Sequence, residues 1–177
     1  SYKVSCGNEY LCAFARQYNS RVIYNPTTID TVNLHNPQKV KFTNKNKITI
    51  GWTGSHSTLK YLKTIELVLA KLEQKYVQVE VLIIANQKPS LKLKSFQFLP
   101  WRSETESEDL TKIDIGIMPL PDDEWAKGKC GFKALQYMAM EIPTVVSKVG
   151  VNINMVDHGI NGFHASTETD WLDFLSR

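Results

Sequence analysis

The stretch Ile48-Thr49-Ile50-Gly51-Trp52-Thr53-Gly54-Ser55-His56-Ser57 decides the fold. It opens as an apolar, β-branched run and passes through two glycines and three hydroxyl residues. It then hands over to a segment, Thr58 to Tyr76, in which Leu62, Ile65, Leu69, Leu72 and Tyr76 recur at helical spacing. Strand, glycine turn and helix form the opening unit of an α/β domain, and the alternation continues downstream. Val79 to Ala85, Phe96 to Trp101, Ile113 to Met118, Thr144 to Ser147 and Phe163 to Ala165 are short strand candidates. Glu104 to Leu110 and Phe132 to Met140 are helix candidates, and Thr167 with Asp170 forms a capping-box-like start for a last helix. The strands are continuous apolar runs rather than alternating ones, so the spacing predicts a Rossmann-like, doubly wound parallel sheet with helices on both faces. Ligands of such sheets bind where the carboxyl ends of strands turn into helices.

Working outward, Asn8 to Tyr18 carries Leu11, Phe14, Ala15 and Tyr18 at helical spacing, and Arg21 to Tyr24 is a strand candidate stopped by Asn25-Pro26. These two elements have no core of their own. Residues 32–47 are poor in large apolar side chains and read as a linker, so the compact unit is expected to begin at Ile48. The chain has 177 residues and a formal net charge of +3, too little for a nucleic-acid footprint by itself. Lys39, Lys41, Lys45, Lys47, Lys60 and Lys63 all precede the nearby Glu66; they suit either a solvated face or one that approaches anionic headgroups or a phosphorylated ligand. No apolar run reaches the ~18 residues of a membrane span. Cys6, Cys12 and Cys130 are odd in number and lack metal-site spacing, so reduced thiols in a cytoplasmic setting are expected. The chain opens on Ser1 without a signal-like region and is expected to be a piece of a longer polypeptide.

Two loops carry chemistry. In Gly51 to Ser57, glycines allow backbone N–H groups near a ligand, hydroxyls can donate to phosphate, and a helix N-terminus follows. The same residues also suit a plain turn in which Ser55, Ser57 or Thr58 caps the helix. The spacing matches neither the dinucleotide fingerprint nor a P-loop. The second loop, Lys127-Gly128-Lys129-Cys130-Gly131-Phe132-Lys133, again places glycines at a helix start, now with three lysines, and suits a diphosphate.

Gly131-Phe132-Lys133-Ala134-Leu135-Gln136-Tyr137-Met138-Ala139, then Ile142 to Ser147 and Asp157 to Phe163, resemble the signature of family-4 retaining glycosyltransferases (glycosyl transferases group 1) of the GT-B fold. Ile50 to Ser55 and Asp114 to Leu120 resemble the same family, so the similarity runs from about Ile48 to the end of the chain. The resemblance implies that residues 48–177 are the C-terminal, nucleotide-sugar-binding half of a GT-B fold. Residues 1–31 would be a remnant of the N-terminal domain, and residues 32–47 the linker. It implies transfer of a sugar from a nucleoside diphosphate to an acceptor hydroxyl with the configuration kept, and no metal or other cofactor; the alternative is a non-catalytic nucleotide-binding regulatory module of the same fold. The implied partners are the sugar-nucleotide donor, an acceptor sugar or lipid-linked glycan, and the rest of the polypeptide, at the cytoplasmic face of a membrane.

Carried over residue by residue, the resemblance puts donor phosphate on Gly54, Ser55, Lys129, Gly131, Phe132 and Lys133, ribose on Gln136, and the base against Trp101. The family's two glutamates, eight positions apart, align with Gly128 and Gln136. Gln136 keeps donor and acceptor capacity for a diol. Gly128 has no side chain, so Glu124, Asp122 or Asp123, with Lys127, would have to face the donor sugar. His56 reads as a neighbour of the helix cap, and Cys130 as a packing residue.

Overall fold

A computed structural model describes residues 1–42, 46–94 and 96–177 of the chain. Residues 43–45 of the expected linker, Lys45 among them, lie outside the described residues. The main sheet has six parallel strands: β3 (Ile48–Gly54), β4 (Val79–Ala85), β5 (Phe96–Pro100), β6 (Ile115–Met118), β7 (Thr144–Ser147) and β8 (Phe163–Ala165). Their spatial order is β5-β4-β3-β6-β7-β8. The chain winds outward one way from β3 and then returns to wind the other way from β6, so the β3/β6 boundary is the switch point of a doubly wound sheet.

The period-2 geometry of the strands sorts the core into two layers. Val79, Val81, Ile83 and Ala85 of β4 pack with Leu62, Leu69 and Leu72 and with Trp171 and Leu175 of the C-terminal segment. Leu82 and Ile84, pointing the other way, pack with Leu110, Ile113, Tyr137 and Met140. Helices α2 (Glu66–Lys75) and α7 (Glu168–Phe174) therefore cover one face, while α3 (Glu106–Leu110) and α5 (Phe132–Ala139) cover the other. The Thr167–Asp170 capping box opens α7 as the sequence suggests.

The segment read as one helix from Thr58 to Tyr76 is two pieces, a 3₁₀ stretch His56–Ile65 followed by α2. Both Thr58 and Thr64 bond backwards to carbonyls three residues earlier, which suits the tighter turn. A short strand, β1 (Val4–Cys6), pairs in parallel with β2 (Val22–Tyr24) beside α1 (Glu9–Arg16), so the N-terminal unit holds two strands rather than one. Two four-residue helices, α4 (Glu124–Lys127) and α6 (Asn152–Met155), escape a reading based on periodicity because neither is long enough to show a period.

Candidate functional site

The site begins with two glycines side by side. Gly51 and Gly116 are register partners across β3 and β6, and a Cβ at Gly116 would lie 2.4 Å from the Tyr137 ring. At Gly51 it would lie 2.2 Å from Ile113. The bare backbone of Gly116 lets the Tyr137 ring sink onto the switch point, where its hydroxyl accepts from Thr53 N at 2.9 Å, while that of Gly51 admits Ile113. Burial pushes the Tyr137 phenol above its ordinary range, so it acts as a neutral pin. The pin fixes α5 with its N-terminus at the carboxyl ends of β3 and β6. Gly131 caps α5 in the left-handed region (φ 73°) with no side-chain cap, leaving the first-turn N–H groups for another acceptor.

A cavity of about 440 Å³ opens there, lined among others by Gly54, Ser55, Asn86, Trp101 and Glu106 and, from the second loop and α5, by Lys129, Gly131, Phe132, Lys133 and Gln136. Lys133 Nζ lies 5.3 Å from the centre of the Trp52 ring, and Lys129 Nζ 5.0 Å from that of Trp125. Desolvation, and then the neighbouring Lys129 charge, lower the Lys133 pKa from 10.5 to about 8. No carboxylate among the described residues offsets that loss. A desolvated cation beside uncapped helix N–H groups is an arrangement that gains stability from a bound anion.

The model of the glycosyl transferases group 1 family matches residues 47–176. The chain belongs to that family. HepE from Anabaena, in complex with UDP and glucose, superposes at a TM-score of 0.73 with 15% identity, over 99% of this chain and 53% of its own. A glycosyltransferase from Rickettsia africae superposes at 0.75 with 12% identity, over 98% and 52%. The C-terminal domain of a group 1 family protein from Francisella tularensis superposes at 0.57 with 18% identity, over 84% and 86%. This chain thus spans about half the length of HepE and of the Rickettsia enzyme. No curated protein sequence matches it.

In this group 1 chain, eight of the residues singled out in the sequence meet in one cavity: Gly54, Ser55, Trp101, Lys129, Gly131, Phe132, Lys133 and Gln136. Glu124 and Lys127 are not brought into it. Glu124 lines a separate depression with Tyr10, Phe14 and Trp125, and Lys127 pairs with Asp122 at 3.0 Å. Asp123 spends its carboxylate capping α4 through Ala126 N. Gly128 closes α4, and its neighbours' carbonyls are held from outside, Asn8 Nδ2 donating to Lys127 O at 3.1 Å and to Lys129 O at 2.9 Å. The N-terminal unit therefore leans on the second loop through the same Asn8 that caps α1. His56 bonds Asn86 through both backbone and ring, and Cys130 is a free thiol. Among the described residues no cluster of three His, Cys, Asp or Glu side chains is placed to hold a metal ion, and no helix is long and apolar enough to cross a membrane.

Sequence reasoning missed Glu106 and His35. Glu106 accepts from Trp101 Nε1 at 2.8 Å, and its other oxygen lies 3.4 Å from His35 Nε2. That nitrogen is also 3.1 Å from Gln136 Nε2. His35 is 1% exposed although it belongs to the segment expected to be a linker. Ser107 Oγ donates to Leu34 O and so straps that segment to α3. The available signal was a single histidine in a polar stretch, which carries no periodicity to mark it as buried.

Proposed function

We propose that the chain is the donor-binding half of a retaining glycosyltransferase that takes a nucleoside-diphosphate sugar. The observation that carries this reading is Lys133, a desolvated ammonium with no carboxylate partner among the described residues, set at the uncapped start of α5 beside Lys129. A diphosphate there would receive backbone N–H groups and two cations at once. Trp101, which also lines the cavity, offers an aromatic face to a base. Group 1 membership and the likeness to HepE with UDP and glucose support the same reading.

In this mechanism the protein stabilises charge as it grows on the leaving diphosphate, and Lys129, Lys133 and the α5 N–H groups supply that stabilisation without a metal. The leaving phosphate takes the acceptor proton on the face where the new bond forms, so the configuration at the sugar is kept. The acceptor, a sugar or lipid-linked glycan, would be held by the remainder of a two-domain enzyme at the cytoplasmic face of a membrane. Residues 1–31 belong to that remainder, and residues 48–177 form the donor domain.

Titration calorimetry of the chain with UDP, GDP and ADP tests the proposal. Binding of at least one, weakened about 10- to 100-fold by Lys133→Ala, is expected; millimolar concentrations of all three giving no heat would overturn it.

A further inference from the structure

The buried group with the least obvious purpose is His35. Its Nδ1 is buried with no hydrogen-bond partner among the described residues, while its Nε2 faces Glu106 and Gln136, both of which line the cavity. A buried polar atom left unpaired costs stability, so whatever the ring accomplishes is done through Nε2.

The geometry decides where the proton sits. A carboxylate oxygen 3.4 Å from Nε2 can only accept, so an unprotonated Nε2 would oppose lone pair to lone pair. A proton on Nε2 removes that conflict. The Gln136 atom placed 3.1 Å from Nε2 is its amide nitrogen, which has only hydrogens to offer, so a proton on Nε2 requires the carboxamide to turn over and present its oxygen there. With its oxygen turned to His35, Gln136 must present its NH₂ on the other side. Among the described residues nothing else bonds that carboxamide, and Gln136 lines the cavity.

We infer that His35 is a positioning residue that fixes the polarity of Gln136, so that this wall of the cavity donates hydrogen bonds to a ligand hydroxyl. The inference rests on the donor-site reading. Within the cavity, Gln136 lies one helical turn beyond Phe132 and Lys133 at the anion end, and it connects through His35 and Glu106 to Trp101 at the aromatic end. A ligand with phosphate at one end and a base at the other places its ribose diol against this wall. A hydroxyl accepts from an NH₂; a ribose lacking the 2′-hydroxyl leaves the NH₂ with one acceptor fewer, at a cost set by the unpaired donor.

The test measures the affinity of the chain for UDP, GDP, their 2′-deoxy counterparts and inorganic pyrophosphate. The expected result is that the ribonucleotide which binds is preferred over its 2′-deoxy form by about tenfold. His35→Phe, which fills the same space without a donor, reduces that preference to about twofold or less. His35→Gln, whose amide nitrogen can occupy the Nε2 position, restores it, and pyrophosphate affinity stays constant throughout. A preference retained in His35→Phe, or pyrophosphate binding lost in parallel with the nucleotide, overturns the assignment while leaving the donor-site reading intact. Absence of nucleotide and pyrophosphate binding in the unaltered chain overturns both.

Discussion

The two glycine loops at the switch point read alike in sequence and differ in how their polar groups are spent. In the first, the hydroxyls of Ser55 and Ser57 bond each other at 2.9 Å, Thr58 Oγ1 donates to Ser55 O, and His56 is stitched to Asn86. In the second, Gly131 leaves the α5 N–H groups without a side-chain cap, and Lys133 lies in a desolvated position without an acid among the described residues. One loop spends its polar groups on the protein itself; the other leaves donors over, and in the proposed function these take an anion. Even Gly54 serves the second loop, since a Cβ there would lie 2.5 Å from Lys133 Cε and 2.6 Å from the Trp52 ring. The lesson is that a glycine-rich strand-to-helix turn becomes a candidate site only when the structure leaves some of its donors unpaired.

The largest test of this contrast is Lys133→Met, which keeps the side-chain length and removes the charge. Nucleotide affinity should fall by about 10- to 100-fold, the cost of one charge-assisted hydrogen bond of roughly 1.5–3 kcal/mol. Stability of the ligand-free chain should move the other way. The free energy stored in lowering the pKa from 10.5 to about 8 is at most about 3 kcal/mol at neutral pH. Calorimetric titration and chemical denaturation of the same sample check both signs, and weaker binding with weaker folding would reduce Lys133 to a packing residue.

The pH dependence comes next in size. Because the folded-state pKa of Lys133 is depressed, the unfolded chain holds more protons than the folded one between pH 8 and 10.5, so this residue makes stability rise with pH through that window. Binding has the opposite sense, since a diphosphate favours the ammonium and draws a proton onto it. Affinity should drop about tenfold from pH 7 to pH 9, and the slope should vanish in Lys133→Met. A flat profile in the unaltered chain would mean that the ligand does not touch this group.

Gly54→Ala probes how far the first loop acts through the second. The added methyl must displace Lys133 or the Trp52 ring, and nucleotide affinity should fall about fivefold through Lys133 alone, roughly 1 kcal/mol. In a Lys133→Met background the same change should cost less than half as much, a coupling that a double-mutant cycle reads directly.

How much of this was legible in the sequence follows from which forces write periodic signals. The continuous apolar strands and the α2 face were legible because burial imposes spacing, and Lys129, Gly131 and Lys133 were legible because glycine and like charges at a helix start are conspicuous. Asn8 and His35 were not. Each acts by a hydrogen bond across a long sequence separation, Asn8 to Lys129 and His35 to Gln136, and such bonds leave no local pattern. Glu124 misled for the converse reason: it lies close in sequence to the second loop, yet α4 turns it toward Phe14 and Trp125.

The smallest effect should come from Ser55→Ala, and its smallness is the sharpest statement of the contrast. Ser55 occupies the cap position of the 3₁₀ stretch, but its side chain makes no capping bond, so truncation forfeits no helix-end energy. Its hydroxyl is exposed and already paired with Ser57, which can turn to water when the partner is lost. Stability should therefore change by no more than about 0.5 kcal/mol. Nucleotide affinity should change by less than about twofold if the phosphate is held by α5 and its lysines, because the remaining hydroxyl contact is exposed and competes with solvent. Affinity measured for Ser55→Ala beside Ser55→Thr, which retains the hydroxyl, decides the matter. A tenfold loss in the alanine variant, restored by threonine, would show that the Ser55–Ser57 bond opens for the ligand, and the first loop would then count as half of the cradle rather than its wall.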